Sequence, residues 1–209
     1  MLHYETIDSE TLELLKRIQD IPAFANLRLV GRTSLALQIG HRKSIDLDLF
    51  GKIEQDEFNI AEILNKTWKV TVLKKSENIN IYSINGIKVD IVNYPYAWLK
   101  DILFEDSIKL AGVEDIAAMK LAAITNRGSK KDFIDIYFLL KQYNMEELFD
   151  FYKHKYSDGS TFLVVKSLLY FDDAEEEAMP DMCNPVKWEA VKKHINHILA
   201  DYLKKNPVK

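Results

Sequence analysis

The chain has 209 residues, 47% hydrophobic and 29% charged, a composition typical of a globular protein that can bury a sizeable core. Its net charge of -4 argues against broad, non-specific binding to nucleic acid. The single cysteine, Cys183, excludes an intrachain disulfide and indicates a reducing compartment. Because the sequence has neither a signal-peptide pattern nor a long apolar run, we expect a cytoplasmic protein without a membrane span.

The first half of the sequence mixes helical and strand patterns. Apolar residues recur at helical spacing in SETLELLKRIQ, with Ser9 as the expected N-cap. LRLV is predicted to be a short strand, and TSLALQIG a short helix that ends at Gly40. DEFNIAEILNKT is a predicted helix. WKVTVLKK, NINIYSI and IKVDIVNYP are predicted strands, with a hairpin turn at NGI between the last two.

From about Val113 the pattern is helical almost to the end of the chain. The predicted helices are VEDIAAMKLAAITNR, KKDFIDIYFLLKQY, MEELFDFYKHKY, STFLVVKSLLYF and VKWEAVKKHINHILADYLKK. The charged run from Asp172 to Asp181 is interpreted as a solvated loop. Strands followed by helices predict an α+β protein, with an α/β core over residues 1–105 and a helical domain over residues 106–209.

Two aspartates alternate with apolar residues in SIDLDLF. A strand here places Ile45, Leu47 and Leu49 on one face and Asp46 and Asp48 on the other. A solvent-facing strand is the simpler interpretation of such alternation. However, two carboxylates this close repel each other unless a cation lies between them, and hard oxygen ligands suit Mg²⁺ or Mn²⁺.

Two further features favour a phosphoryl-transfer site. Asp90 lies between apolar residues in IKVDIVN, so three carboxylates meet if its strand neighbours that of Asp46 and Asp48. Three carboxylates are enough to hold two divalent ions. Upstream, Gly31 opens a short helix, and glycine turns at helix N-termini bind phosphate through backbone N–H groups.

A second polar cluster occurs in KLAAITNRGSKKDFIDI. Lys120 and Arg127 are about two helical turns apart, which predicts a shared face, and Asp132 and Asp135 share a face of the next helix. Because Lys120 is surrounded by small apolar residues, we expect it to extend towards water or to meet an anion. Lys130 is interpreted as an exposed charge.

These two segments resemble the AbiEii-type nucleotidyltransferases, the toxin components of bacterial toxin–antitoxin and phage-abortive-infection systems. VGRTSLALQIGHRKSIDLDLF is similar to the family's glycine turn, short helix and Asp-x-Asp strand. KLAAITNRGSKKDFIDIYFLL is similar to its later Lys, Arg and Lys-Asp-x-x-Asp motif, at positions Lys120, Arg127, Lys131, Asp132 and Asp135. The resemblance extends over residues 27–140 and continues into a helical tail like the family's.

The resemblance implies a polymerase-β-like nucleotidyltransferase fold with a helical C-terminal half. It implies metal-dependent transfer of a nucleotide from an NTP to an acceptor, which in characterised relatives is RNA, notably the tRNA 3′ end. A toxin of this kind must be restrained, so we expect a separately encoded antitoxin as a partner.

In this interpretation, Asp46 and Asp48 bind the Mg²⁺ or Mn²⁺ that carries the NTP phosphates, and Asp90 helps to hold a second ion near the acceptor hydroxyl. Such ions stabilise the attacking and leaving oxygens of an in-line attack on the α-phosphate.

The second motif supplies positive charge in this interpretation. Lys120, with Arg127 or Arg42, neutralises the triphosphate. Asp132 and Asp135 either orient these cations or assist catalysis directly, and the sequence does not separate the two roles.

The glycine turn departs from the family pattern at one position. Gly31 is followed by Arg32, where the family usually has a second small residue. Arg32 either clashes with a triphosphate or adds charge to its binding site, and Thr33 offers a hydroxyl. Lys131 is the remaining predicted nucleotide contact.

Two alternative functions remain open from the sequence. A degenerate, non-catalytic relative that binds nucleotide or a protein is favoured by Arg32 and opposed by the intact acidic motif. A metal-dependent phosphohydrolase would need histidine ligands, and of the five histidines only His41 lies near the motifs. His194 and His197 are interpreted as surface residues.

Overall fold

The computed structural model describes residues 1–206. Contacts divide the chain into two compact units. The first comprises Met1–Tyr96 with Asp101–Gly112, and the second comprises Ala97–Lys100 with the chain from Val113 onwards. Within the described residues, no helix combines the length and the apolar character needed to cross a membrane.

The first unit is built on a mixed sheet. Within the described residues the sheet has seven strands, in the order β3-β4-β5-β2-β1-β7-β6. The strands are β1 (Arg28–Val30), β2 (Leu47–Gly51), β3 (Val70–Lys74), β4 (Ile79–Ile84), β5 (Ile87–Asn93), β6 (Leu103–Glu105) and β7 (Ile108–Leu110). The helices of this unit are α1 (Ser9–Gln19), α2 (Gly31–Ile39) and α3 (Glu57–Asn65). The β2–β5 and β1–β7 pairs are parallel, and the other pairs are antiparallel.

The apolar residues of the central strands form the core of this unit. Leu47 and Leu49 of β2 and Val89 and Ile91 of β5 are fully buried, and they belong to one cluster with Leu15 of α1. Because side chains alternate along a strand, burying these residues directs the intervening side chains of β2 and β5 to the opposite face. The core therefore fixes where the aspartates of the two strands point.

Three details of the first unit differ from the sequence-based predictions. Helix α1 is capped by Asp8, whose Oδ1 accepts a hydrogen bond from Thr11 N at 2.7 Å, and Ser9 is already helical. Strand β2 begins only at Leu47, and Ile45 is 61% exposed instead of facing the core. The β6–β7 hairpin was not predicted, and its strand β7 pairs with β1.

The second unit is helical, which together with the mixed sheet confirms the predicted α+β fold. Its helices are α4 (Val113–Ile124), α5 (Lys130–Leu139), α6 (Met145–Lys155), α7 (Thr161–Leu168), α8 (Asp172–Glu175) and α9 (Trp188–Lys205). Part of the charged run is helix α8 and not a loop, and its Ala174 is buried. Helix α4 is shorter than predicted, so Arg127 lies in the turn that follows it.

A buried ion pair fixes the short segment that precedes β6 to the second unit. Leu99 N and Lys100 N donate to the Asp115 carboxylate of α4 at 2.9 and 3.0 Å. Lys155 Nζ of α6 donates to the same carboxylate at 2.6 Å and to Ala97 O at 3.0 Å. The segment therefore belongs to the second unit although residues on both sides of it belong to the first.

Candidate active site

Strands β2 and β5 bring two of the predicted aspartates together. Asp48 and Asp90 are direct partners in the parallel β2–β5 register, and the side chains of both are partly exposed. Adjacent strands lie about 4.8 Å apart, so the two carboxylates leave the same face of the sheet as neighbours. Asp46 lies immediately before β2, two residues from Asp48. The sequence predicted that the carboxylates meet if the strand of Asp90 neighbours that of Asp46 and Asp48, and the pairing of β5 with β2 fulfils this condition.

Gly31 begins α2 and leaves room for the Asp48 carboxylate. Its φ of +68° is in the left-handed region, and a Cβ at this position would lie 3.0 Å from Asp48 Cγ and still closer to Asp48 Oδ2. Any side chain here would therefore have to displace the carboxylate. The sequence predicted a phosphate-binding role for this glycine. In the structure, the absence of a side chain at Gly31 makes room for the carboxylate of Asp48.

Two positively charged side chains bind the carboxylates of Asp46 and Asp90. Arg32 Nη2 is 2.8 Å from Asp46 Oδ2, and both side chains are about one-quarter exposed, at 25% and 26%. Lys88 Nζ is 2.5 Å from Asp90 Oδ1. Sequence analysis missed Lys88, although its position two residues before Asp90 on the same strand already places both side chains on one face.

The structure places two predicted nucleotide contacts in the interior. Thr33 is fully buried, and its hydroxyl bonds to the Asp46 carbonyl and lies 2.8 Å from Ser44 Oγ. Arg42 is only 2% exposed, and its Nη1 donates to Lys43 O at 3.1 Å. Both side chains are thus engaged with the protein, and Thr33 holds the backbone that precedes β2 against the first turn of α2.

The carboxylates of Asp46, Asp48 and Asp90 have the ligand chemistry that a hard divalent cation prefers. In residues 1–206, no three or more His, Cys, Asp or Glu side chains are arranged as a group that could hold a metal ion. Asp46, Asp48 and Asp90 nevertheless supply carboxylate oxygens, the preferred ligands of Mg²⁺. Asp46 and Asp90 each bind a positively charged side chain, and the carboxylate of Asp48 lies against Gly31.

In the second unit, Lys120 meets two buried carboxylates. Its Nζ is 3.0 Å from Asp132 Oδ1 and 2.5 Å from Asp135 Oδ2 of α5. The Lys120 side chain is 4% exposed, and both aspartates are fully buried. Of the two alternatives that the sequence left for Lys120, water or an anion, the structure has the anion. The lysine therefore holds the two aspartates in place.

Asp132 is the centre of this cluster. Arg127 Nε and Nη2 donate to its two oxygens at 2.8 and 3.3 Å, and Ser129 Oγ donates at 2.6 Å. Ser129 is also the N-cap of α5. Burial by itself raises the pKa of Asp132, but the charge of Lys120 and the hydrogen bonds from Arg127 and Ser129 outweigh it and hold the pKa far below its usual value.

The positively charged side chains in and near the Asp132 cluster differ in their exposure to solvent. Arg127 reaches Asp132 from the turn after α4, and its side chain remains 57% exposed, so it is a cation that a ligand can contact. Lys130 is 5% exposed, which corrects its interpretation as a surface charge. Its Nζ donates to the carbonyls of Glu175 and Glu177 and lies 5.1 Å from the centre of the Trp188 ring. Lys131 is partly exposed.

The histidines lie apart from these clusters or in the interior. His41 is fully buried. The half-buried His194 packs edge-on against Tyr137 with 5.0 Å between ring centres, which corrects its interpretation as a surface residue. Burial, followed by the charges of Lys141 and His197, lowers the pKa of His194. His197 is 74% exposed, as predicted.

The profile of the AbiEii nucleotidyl transferase toxins, which belong to type IV toxin–antitoxin systems, matches residues 13–206. The chain belongs to this family. As a member of this family, the protein is a nucleotidyltransferase. The acidic and basic clusters lie in the segments whose motifs resemble those of AbiEii proteins.

Three further proteins are similar to this chain in sequence or in fold. An uncharacterized protein of Aquifex aeolicus (strain VF5) is 35% identical over 203 residues, which cover 94% of this chain and 98% of that protein. The fold is similar to JHP933 of Helicobacter pylori, with a TM-score of 0.61, 18% identity, and coverage of 95% of this chain and 94% of that one. It is also similar to MenT4, a nucleotidyltransferase toxin of Mycobacterium tuberculosis, with a TM-score of 0.60, 18% identity, and coverage of 92% and 82%.

Proposed function

We propose that this AbiEii protein is a metal-dependent enzyme that transfers a nucleotide from an NTP to an RNA acceptor, with the 3′ end of tRNA as the expected target. The observation that carries the proposal is the direct pairing of Asp48 with Asp90 on central parallel strands, beside a glycine that leaves room for Asp48.

The first unit supplies the acidic groups of the reaction. Asp46, Asp48 and Asp90 would hold Mg²⁺ or Mn²⁺, which when bound neutralises the NTP phosphates and the oxygens of the phosphoryl transfer. Arg32 binds the carboxylate of Asp46, which would also be a ligand of the metal ion. When the metal ion and the NTP bind, Arg32 can leave this carboxylate and bind a phosphate oxygen of the NTP.

The second unit supplies a positively charged group in a fixed orientation. Arg127 is exposed, and its guanidinium is fixed by two hydrogen bonds to Asp132, which suits it to contact phosphate. Lys120 acts on Asp132 and Asp135 and is therefore a positioning residue. Lys131 is a further phosphate contact in this proposal.

The test is a transfer assay with radiolabelled NTPs, Mg²⁺ and total RNA, read on a denaturing gel. The natural protein should label one class of RNA, and Asp48→Asn, which keeps the shape of the side chain, should abolish labelling. Asp150→Asn on α6, an exposed position whose nearest cation is 3.9 Å away, is the matched control and should label normally. Equal labelling by Asp48→Asn, or release of phosphate without labelled RNA, would contradict the proposal.

One observation favours a second candidate, a non-catalytic protein that binds nucleotide or a protein partner. Arg32 already neutralises Asp46, the position at which a metal ion would otherwise bind. Titration calorimetry with each NTP and Mg²⁺ beside the transfer assay separates the candidates. Binding of an NTP without any transfer to total RNA would favour the non-catalytic protein.

The expected partner is a separately encoded antitoxin, in keeping with a family of type IV toxin–antitoxin systems. Co-expression with the neighbouring gene products should relieve any growth arrest that this protein causes.

A further inference from the structure

The second unit contains a cleft between the turn that follows α4 and the end of α7. Its volume is about 530 Å³, large enough for one nucleotide and too small for a double helix. The residues that define its character are Thr125, Arg127, Lys166, Ser167, Tyr170 and Asp173. All of them belong to the second unit, so the cleft is complete within it.

One part of the cleft is an exposed aromatic and apolar surface. Tyr170 is 52% exposed and the neighbouring Leu169 is 51% exposed, so the two side chains present an aromatic and an aliphatic surface side by side. The Tyr170 hydroxyl reaches only Asp173 Oδ1, at the long distance of 3.5 Å. Exposed aromatic rings in such clefts stack with nucleic-acid bases, and they do so with little dependence on sequence.

The charged side chains of the cleft match a single phosphate group. Arg127 is held in one orientation by Asp132 and is 57% exposed, and Lys166 is exposed on α7. Counting Arg127, Lys166 and the exposed Asp173, the side chains that line the cleft carry a net charge of about +1. A phosphodiester carries one negative charge, whereas a nucleoside triphosphate carries about four, so the cleft fits a nucleotide within a strand better than it fits an NTP.

We propose that this cleft binds one nucleotide of a single-stranded RNA end, with its base on Tyr170 and its phosphate between Arg127 and Lys166. This proposal rests on the proposed transfer to RNA and names a binding site for the acceptor. Because Arg127 also bonds to Asp132, the bound phosphate lies next to the Lys120–Asp132 cluster. The cleft thus connects recognition of the acceptor with a cation of the second motif.

The test is fluorescence anisotropy of a labelled six-nucleotide single-stranded RNA, measured without NTP or metal so that it does not depend on catalysis. Tyr170→Ala should weaken binding about tenfold, whereas Tyr170→Phe should bind normally because stacking needs only the ring. Phe162→Ala is the matched control, since Phe162 is an aromatic residue of α7 with 59% exposure and is not among the residues that line the cleft.

The phosphate contact has its own readout. Lys166→Gln should weaken binding and lower the slope of log affinity against log salt by about 0.7, the value for one phosphate contact with a single strand. Lys153→Gln on α6, where the lysine is 51% exposed, should leave both quantities unchanged.

Several outcomes would overturn the proposal. These are no RNA binding by the natural protein, equal binding by folded Tyr170→Ala and Lys166→Gln variants, equal binding of a blunt RNA duplex, and displacement of the RNA by NTP with the same dependence on Tyr170. If Tyr170-dependent binding is found but no RNA is labelled in the transfer assay, the cleft proposal stands and the proposed catalysis fails. Circular dichroism of each variant establishes that it is folded.

Discussion

Arg32 and the divalent cation of the proposed reaction act on the same carboxylate. The guanidinium lies 2.8 Å from Asp46 Oδ2, and the pair is only partly exposed. In the proposed reaction, a metal ion bound at Asp46 would compete with a cation that the protein itself supplies. A displaced Arg32 would be available for the phosphates, so the residue that weakens binding of the metal alone would strengthen binding of metal and NTP together.

We therefore predict that Arg32→Gln increases the affinity for Mn²⁺ in the absence of NTP. A partly exposed ion pair contributes about 0.2–1 kcal/mol, which corresponds to an increase of up to about fivefold. Titration with Mn²⁺, followed by electron paramagnetic resonance, measures the change. Lys66→Gln is the control, because Lys66 pairs with Glu62 at 3.8 Å on the surface of the first unit. An unchanged or lower Mn²⁺ affinity of Arg32→Gln would show that the two cations do not compete.

Asp132 makes the stability of the protein dependent on pH. Because Lys120, Arg127 and Ser129 outweigh the effect of burial, the pKa of this carboxyl is lower in the folded protein than in the unfolded chain. The resulting stabilisation is complete well above the unfolded pKa of about 3.9, and it is lost as the pH falls below about 5.

We predict that Asp132→Asn lowers the free energy of unfolding at pH 7 by about 3–5 kcal/mol, because Lys120 loses one of two buried carboxylate partners. The difference from the natural protein should shrink between pH 5 and pH 3. Urea denaturation at pH 7, 5, 4 and 3 measures it, with Asp150→Asn as the control for a surface carboxylate. A difference that stays constant with pH would mean that the ionisation of Asp132 does not stabilise the fold.

The sequence was informative about these residues wherever the partner lies close in the chain. Small apolar neighbours indicated that Lys120 either extends towards water or meets an anion, and its partners Asp132 and Asp135 follow within the next helix. Lys130 was misinterpreted because its acceptors are the carbonyls of Glu175 and Glu177, which are 45 and 47 residues away. No local pattern indicates that the intervening helices bring such acceptors back to it.

At the level of elements, the pairing of β2 with β5 determines the acidic site. The alternation of SIDLDLF and IKVDIVN predicted the face of Asp48 and Asp90, since a core of leucine, valine and isoleucine requires it. Asp46 lies before β2, so the alternation does not extend to it. Only the structure supplies the register that sets Asp48 opposite Asp90. Strand pairing depends on residues distant in the sequence, so a single strand pattern does not determine it.

The predicted β4–β5 hairpin and the missed β6–β7 hairpin illustrate the same limit. Asn85 and Gly86 both have positive φ, at 53° and 83°, and Asn-Gly is the residue pair that such turns favour. In the second hairpin the positive φ angles, 51° and 66°, belong to Asp106 and Ser107. Without a glycine, and with strands of only three residues, the second turn gave a weak signal.

The close approach of α2 to β2 gives a prediction for Gly31→Ala. We expect a loss of about 2–4 kcal/mol in the free energy of unfolding, from a left-handed φ and from the clash with Asp48, together with loss of transfer. Gly86→Ala is the matched control, because its φ is +83° but a Cβ there meets nothing within 4 Å, so only about 1 kcal/mol should be lost. Thermal and urea denaturation measure both.

The contact itself can be isolated by a double mutant. Asp48→Ala removes the carboxylate that the new Cβ would meet, so it should restore part of the stability lost in Gly31→Ala. Equal losses in Gly31→Ala and Gly86→Ala, or no recovery in the double mutant, would show that Gly31 is required only for its backbone conformation.

For the molecule as a whole, membership of a toxin family predicts an effect on cell growth. Overexpression alone should slow the growth of bacteria, and the double variant Asp46→Ala/Asp48→Ala should relieve the arrest, because toxicity that arises from nucleotide transfer requires the acidic site. Growth curves with matched expression levels measure the effect. Arrest that persists in the double variant would indicate toxicity by binding or aggregation.

The segment Ala97–Lys100 has a consequence for any attempt to dissect the protein. Because it belongs to the second unit, the backbone passes from one unit to the other three times, after Tyr96, after Lys100 and after Gly112. A single cut at any of these crossings leaves at least one fragment that contains residues of both units. A fragment that ends at Gly112 would carry the segment without Asp115 and Lys155, which bind it at 2.9–3.0 Å. The complementary fragment would in turn bury both charged groups without the backbone amides and carbonyl they bind, so neither half is a natural unit for separate expression.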